Sequence, residues 1–353
     1  MATITDVAQA AGVSISTVSY ALSGKRSIAA STRQRIMRAI DELEYEPNAG
    51  ARMLAGARTN ILALSAPLGP DGHLPTHMRF VTSVVEAARA HDYDVLLLAT
   101  DDEVSGIRRA ASRSLIDGVV IMGVATVDER VPLVRRLGLP SAFIGVPPGV
   151  DDMSCIDLDF DRAGRNAVAM LADAGHTAIG VIGHPHSYVD RDTNFIRRFT
   201  HGFDEECRAR GVRTATQWPE IGRAGGQQAY DSLREQLPEM TALVFHCNEP
   251  IVEGALRRIA QLGLSIPGDL SVLAACASYA ADELETPLSA IPLPLDEMCH
   301  SAVENALALV DAVGDPRVTL IAPTFLDRGS IAAPRPANAA RPADPARPAG
   351  QPA

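Results

Sequence analysis

TITDVAQAAGVSISTVSYALSGKRSIAASTRQRIMRAIDELEYEPNAGARMLAG, residues 3–56, is the stretch on which the reading of the whole chain turns. Val7 and Ala11 stand one helical turn apart, as do Val18 and Leu22, and Gly12 falls between the pairs where a sharp turn is needed. The pattern predicts a helix-turn-helix. On its second helix Val18 and Leu22 are expected to point inward, while Ser16, Ser19, Tyr20 and Ser23 follow an i, i+3, i+4, i+7 spacing and face outward. A polar stripe on one short helix suits entry into the major groove of duplex DNA.

A third helix is expected from Ser31, with Gln34 three residues on completing a capping-box pattern. Ile36, Ile40 and Leu43 form the apolar face that closes a three-helix core. Beyond Tyr45 and Pro47, Asn48 is a good N-cap for about two further helical turns ending near Gly56. Such a helix, weakened by Gly50 at roughly 1 kcal/mol relative to alanine, is too short to be stable alone in water. It is predicted to order only against a partner.

These residues resemble the DNA-binding head of the lactose-repressor/galactose-repressor family of bacterial transcriptional regulators. DVAQAAGVSISTVSYAL is similar to the family's helix-turn-helix, TRQRI to the start of its third helix, and YEPNAGARMLAG to its hinge helix. The resemblance implies that Ile15, Ser16 and Tyr20 read base edges and that Ser14, Thr17, Ser19, Thr32 and Asn48 meet phosphates. It places Ala51 among the DNA-binding positions of the hinge, and makes Leu54 one of a paired wedge in the minor groove. Elementary physics agrees, because an apolar wedge kinks duplex DNA by unstacking a base step, at a cost of about a few kcal/mol that other contacts recover. Lys25 and Arg26 read as a solvated loop.

A length of 353 residues predicts two or three domains, and 46% hydrophobic content is ample for their cores. Only 4% of the residues are aromatic, which argues against a stacking groove for single-stranded nucleic acid. The net charge is −11, yet residues 1–58 carry one lysine and six arginines against five acidic residues, so this first stretch, hinge and linker included, is basic. An acidic body behind a cationic first stretch limits nonspecific coating of DNA and leaves affinity to a few phosphate contacts, with a marked salt dependence. No apolar run of about twenty residues and no signal peptide is present, so a cytoplasmic protein without a membrane partner is expected. Five cysteines without a CxxC pair read as reduced thiols.

From Ile61 the period changes. ILALSAP, YDVLLLA, DGVVIMG, LPSAFIGV, AIGVIGH, TALVFHC and LSVLAAC are apolar runs of strand length, each bounded by Gly, Pro or Asp. Between them lie helical stretches such as FVTSVVEAARAH, VPLVRRLG, RNAVAMLADAGH and VEGALRRIAQLG. The alternation implies an α/β body with parallel sheets covered on both faces, in two lobes, with ligands beyond the carboxyl ends of the strands. GLSIPGDLSV and ETPLSAI extend the family resemblance across this body, with LIDGVVIMG, LADAGHTAIGVIG and PTFLDRGSI. They imply a two-lobed, periplasmic-binding-protein-like domain that the chain crosses three times, with a small effector in the cleft.

The expected division is residues 1–47 for the DNA-binding head, 48–58 for hinge helix and linker, 59–331 for the effector and dimerisation domain, and 332–353 for a disordered Pro/Ala-rich tail. The tail lacks the leucine heptads that join dimers into tetramers in some relatives, so a homodimer is expected.

For the cleft, the resemblance puts forward Phe80, Met122, Gly145, Arg197, Arg198, Phe199, Asn248 and Cys276. Asn248 matches the family's cleft asparagine. Cys276 and Gly145 stand where aspartates are common, Met122 where an asparagine occurs and Phe199 where an arginine is frequent, with Arg197 and Arg198 adjacent. So few polar partners make a monosaccharide held in the usual way doubtful. Three readings stay open: a different or larger ligand such as an oligosaccharide, polar contacts from a loop at 73–80 or from 188–194, or no small-molecule response.

The His184-x-His186 pair lacks further ligands at metal-binding spacing, so no metal is expected. Cys247 and Cys276, both at strand ends, read as inert thiols rather than a redox pair. The acidic run Asp101-Asp102-Glu103 reads most simply as a solvated loop, with the cleft mouth as the alternative. No GxGxxG, Walker loop or GxSxG elbow occurs, so neither an enzyme nor a cofactor is expected. The chain therefore reads as a homodimeric repressor on a near-palindromic operator in double-stranded DNA, tuned by a small molecule. The alternatives are an effector-independent or corepressor-dependent regulator, or, from other classes, an α/β enzyme or a solute-binding protein.

Overall fold

The structure, a computed structural model, describes residues 2–23, 27–45, 58–69, 72–98 and 102–335. Lys25, Arg26, Asn48, Ala51, Leu54, Asp101 and residues 336–353 lie outside the described residues.

The head folds as three helices, Ile4–Ala11, Ile15–Ser23 and Ala30–Glu42. Thr3 and Asp6 satisfy each other's amides in a capping box at the first, and Gly12, in the left-handed region at φ 64°, ends it. Val7, Val18 and Ile36 are fully buried at the centre, with Ala11, Ala21, Ala39 and Tyr45 around them. Two expectations are corrected. Leu22 is 38% exposed, because the i+3 row from Val18 to Ala21, not the i+4 row, faces the core. The third helix starts at Ala30 with Ala29 as N-cap and no side-chain cap bond, so Ser31 and Gln34 form no capping box. Its start is held instead by the backbone bond from Arg33 to Ala29 (3.0 Å), while the Arg33 guanidinium donates to the Ala21 carbonyl (3.2 Å) in the last turn of the second helix.

The body contains two wholly parallel sheets. The first comprises β1 (Ile61–Ser65), β2 (Asp94–Leu98), β3 (Gly118–Ile121), β4 (Ser141–Ile144), β5 (Ser154–Leu158) and β11 (Val318–Ile321), in the order β11-β5-β4-β3-β1-β2. The second comprises β6 (Ala178–Ile182), β7 (Arg213–Gln217), β8 (Ala242–Phe245), β9 (Ser271–Ala277) and β10 (Ser289–Pro292), in the order β10-β9-β8-β6-β7. The chain crosses between the lobes after β5, β10 and β11. Each of the seven apolar runs became a strand. β7 and β11 are half-exposed edge strands, so they lack the apolar signature that marks a strand covered on both faces.

The chain enters the first lobe at a fixed point. The Asp117 carboxylate accepts the backbone amides of Thr59 (2.9 Å) and Asn60 (2.8 Å), and Arg58 pairs with Asp311. At the other end the Ala332 carbonyl accepts from Ser271 (2.9 Å) and Arg335 pairs with Asp269 (2.7 Å). The second lobe thus holds residues 332–335, and the boundary expected at 331 falls short of them. No helix among the described residues is long and apolar enough to cross a membrane.

Candidate functional site

On the head, Ser14 caps the second helix. Its hydroxyl accepts the Thr17 amide (3.2 Å) and lies within hydrogen-bond reach of the Thr17 and Ser16 hydroxyls (2.8 and 2.9 Å). Next to this cap Ile15 is 47% and Tyr20 37% exposed, and Ser16 is exposed as well. Large apolar groups on the open side of a three-helix core do not serve that core, and with Ser16 they make one adjacent surface. Ser19, Thr17 and Thr32 are half-buried.

Between the lobes lies a cavity of about 820 Å³. Met122 follows β3, Gly145 follows β4, His184 follows β6, and His246 and Asn248 follow β8, so it occupies the crevice outside the carboxyl ends of the strands. Five of the eight positions put forward line it: Phe80, Met122, Gly145, Asn248 and Cys276. The segment at 73–80 is corrected from a loop to the first turns of the helix Leu74–Arg89. His73 caps it and Pro75 stands in its first turn, so Thr76, His77 and Phe80 reach the cavity from one helix face.

Cys276 arrives there by a backbone device. In the β9–β10 ladder Ile291 pairs with Ala275 and Pro292 with Ala277, leaving Cys276 as the extra residue of a bulge at φ 54°. A bulge re-aims one side chain out of its strand's alternation, here into the cleft. Gly145 has φ 127°, and a Cβ there would lie 2.7 Å from the Val124 side chain, so an aspartate at this position would be strained. Asn248 is the N-cap of the helix Glu249–Gln261 but its side chain makes no cap bond, which leaves the amide to the cavity.

Arg197, Arg198 and Phe199 do not line the cavity. They sit on the helix Asn194–Arg210, whose cleft-facing positions are Asn194 and Phe195. Phe199 is turned into the second lobe's core, stacked on His246 at a ring distance of 3.9 Å. Arg197 is exposed near Asp192 (3.5 Å), and Arg198 pairs with Asp157 (2.8 Å). Arg198 meets the cavity only through that carboxylate.

Asp128 and Arg130 also line the cavity and are not singled out by the sequence reading, whereas Asp102 and Glu103 line it as the cleft-mouth alternative has them. Arg130, at the start of the helix Arg130–Leu137, holds Asp128 through two nitrogens (2.9 and 2.6 Å), pairs with Glu103, and donates to the carbonyls of Met122 (3.0 Å) and Gly123 (3.1 Å). Burial opposes these charges, but the mutual bonds outweigh it: Asp128 is held below the usual carboxylate range and Arg130 above its ordinary value. Asp102 caps the helix Glu103–Ser112, so Asp102 and Glu103 are structural groups rather than a solvated loop. The signal was present, since charges in VDERVP directly before an amphipathic helix mark a helix start at a strand end.

His77, His184 and His246 also line the cavity. Burial lowers His77 to about 4 and His184 to about 3, and His246 well below its ordinary value, so all three are neutral near pH 7. His184 packs against Tyr188, Phe195 and His246 with ring centroids 5.0–5.1 Å apart, while His186 is exposed. No cluster of three or more metal-ligating side chains occurs among the described residues. Cys247 belongs to the second lobe's core whereas Cys276 faces the cavity, and burial raises both thiols well above their usual values.

Asp157, on β5, is pushed up to about 7 by burial, against the pull of Arg198. A carboxyl raised in the folded state stabilises fully below about pH 4 and loses that contribution as the pH rises through its folded value. The wild type should therefore lose about 2–4 kcal/mol relative to Asp157→Asn between about pH 4 and 7. Thermal melts of both across this range check it, and a difference that stays constant with pH would refute it.

Comparison with known proteins covers both parts of the chain. Residues 3–48 match the family model "Bacterial regulatory proteins, lacI family", and residues 168–331 match "Periplasmic binding protein-like domain". The ribose operon repressor of Haemophilus influenzae is 29% identical over 94% of this chain and 99% of its own length. The HTH-type transcriptional regulator GalR of Escherichia coli is 28% identical over 95% and 97%. Among solved structures, a lac repressor dimer bound to operator and the anti-inducer ONPF aligns with a TM-score of 0.75 at 22% identity, covering 94% of this chain and 99% of that one. A CelR–cellobiose complex aligns with a TM-score of 0.67 at 23% identity, covering 94% and 100%.

Proposed function

The chain belongs to the LacI family of bacterial regulatory proteins and is a DNA-binding transcriptional regulator, and from that premise we propose that it is a cytoplasmic homodimeric repressor whose operator affinity is set by a small molecule in the interlobe cleft. The observation that carries the reading is the surface of Ile15, Ser16 and Tyr20 on the second helix of the head. Each head reads one half-site in the major groove, and residues 48–58 join head to body as hinge and linker, Asn48 and Ala51 meeting DNA beside Leu54. Ser14, Thr17, Ser19 and Thr32 fix the register on phosphates. Residues 59–331, with the four that follow, bind the effector and dimerise.

Lobe closure in the cleft acts on the hinge through the pinned entry at Arg58–Asn60. A coupling of about 1–3 kcal/mol changes operator affinity roughly 5- to 150-fold. A CelR is known in complex with cellobiose and a lac repressor with ONPF, which supports a small-molecule ligand for this chain.

Two substitutions test the DNA face. Tyr20→Ala should relax discrimination at one position of each half-site by about 1–3 kcal/mol, whereas Thr32→Ala should weaken all sequences alike. Base-by-base binding profiles that are the same for both variants would remove the assignment.

A further inference from the structure

The cleft also carries information about what enters it, and this inference rests on the reading of the cleft as the effector site. Its charges do not suit an anion. The first lobe presents Asp102, Glu103, Asp128 and Glu129 to the cavity. The guanidinium donors of Arg130 are engaged by Asp128, Glu103, Ser65 and two backbone carbonyls, and Arg198 is engaged by Asp157 behind the wall. Arg191 also lines the cavity, but it is exposed to solvent rather than buried in the wall. A phosphate or carboxylate entering here would meet carboxylates before it met an available buried cation.

The polar groups do not suit a ligand with hydroxyls all round either. A sugar in a dry site needs nearly every hydroxyl matched, because each unmatched one costs about 1–3 kcal/mol. Yet the Asp128 and Arg130 atoms are bonded to each other, and the Thr76 and Ser278 hydroxyls are bonded across the lobes (3.1 Å). What remains are the Asn248 side-chain amide and three buried ring nitrogens without a hydrogen-bond partner: Nδ1 of His77, Nδ1 of His184 and Nε2 of His246. His77 stands on the first lobe and the other two on the second. Each neutral imidazole offers one donor or one acceptor, according to its tautomer. Beside them Tyr188, Phe195 and Phe80 give the wall flat apolar faces.

We propose that the cleft takes an uncharged, planar heteroaromatic ligand, stacked on the aromatic wall, with its few ring-edge polar atoms hydrogen-bonded by His77, His184 and His246. Such a molecule has two apolar faces and few polar atoms, all in one plane, which is the pattern the lining leaves open. The histidines, contributed from both lobes, tie ligand occupancy to lobe closure.

The test is calorimetric titration of the full chain, without DNA and near neutral pH, with nicotinamide and benzimidazole set against nicotinate, cellobiose and glucose 6-phosphate. At least one of the two uncharged rings should bind, and at least about tenfold more tightly than nicotinate, cellobiose or glucose 6-phosphate. His184→Phe keeps the ring but removes the nitrogen, so it should weaken that binding at least about tenfold without lowering the melting temperature of the unliganded protein. Should that variant not fold, His77→Leu makes the same test from the other lobe. Equal or tighter binding of nicotinate, cellobiose or glucose 6-phosphate, failure of both rings to bind, or unchanged ring affinity in a folded histidine variant would overturn the proposal. Operator affinity is measured separately with and without the bound ring. A ring that binds in the cleft but leaves operator affinity unchanged would count against the regulatory reading and not against the ligand class.

Discussion

Arg130→Met should destabilise the body by about 3–5 kcal/mol, the penalty of removing one partner from a buried ion pair. The estimate applies because the pair is out of water, with the Arg130 side chain 7% and the Asp128 side chain 4% exposed. Without the guanidinium, the Asp128 carboxylate and the half-buried Glu103 face each other's charge, and the carbonyls of Met122 and Gly123 lose their donor. The pH dependence supplies a second reading of the same variant. In the wild type the depressed Asp128 contributes stability above its unfolded value near pH 4 and loses it as the pH falls through its folded value. In the variant burial acts on that carboxyl against only the backbone amides of Ala125 and residue 130 and favours the protonated form, so the gap between the two proteins should narrow as the pH drops from about 7 to about 4. Denaturant melts at the two ends of that range check both statements. A gap under about 1 kcal/mol near neutral pH would show that the network does not hold the cleft wall.

Leu54→Ala should weaken specific operator binding by about 1.5–3 kcal/mol, the worth of one buried leucine, which is roughly 10- to 150-fold in affinity. Leu54 lies outside the described residues, so the expectation comes from its sequence context: an N-cap at Asn48, about two turns of helix too short to persist alone, and one leucine with little core to join. The substitution removes only the wedge, so the melting temperature of the body should not move. A salt-matched gel-shift titration measures the affinity, with salt held constant because the phosphate contacts depend on it. Affinity equal to wild type would sink the wedge.

Much of the fold was legible because it is written in local period. Val7, Val18 and the turn at Gly12 announce two short helices, and runs such as ILALSAP and TALVFHC announce strands covered on both faces. Where that signal fails, the reason is also local. β7 (RTATQ) and β11 (VTLI) lie at sheet edges and carry polar residues where a covered strand would be apolar, and β5 carries Asp157 inside a buried strand. At the third helix the Ser31–Gln34 spacing is compatible with a capping box, but the N-cap is Ala29, two residues earlier.

The amino-acid order by itself determined the class: a helix-turn-helix head and a two-lobed α/β body whose strand ends meet at one crevice. Those conclusions rest on periodicity, caps and charge, which act between residues a few positions apart. Only the tertiary structure decided which polar side chains are available to a ligand. The β9–β10 bulge turns Cys276 into the cavity, the packing of one helix sends Arg197 to solvent, Arg198 to Asp157 and Phe199 to the core, and Arg130 is engaged by groups brought from several loops. A side chain's direction is set by what packs against it from distant parts of the chain, and that information is not carried by the spacing of neighbours.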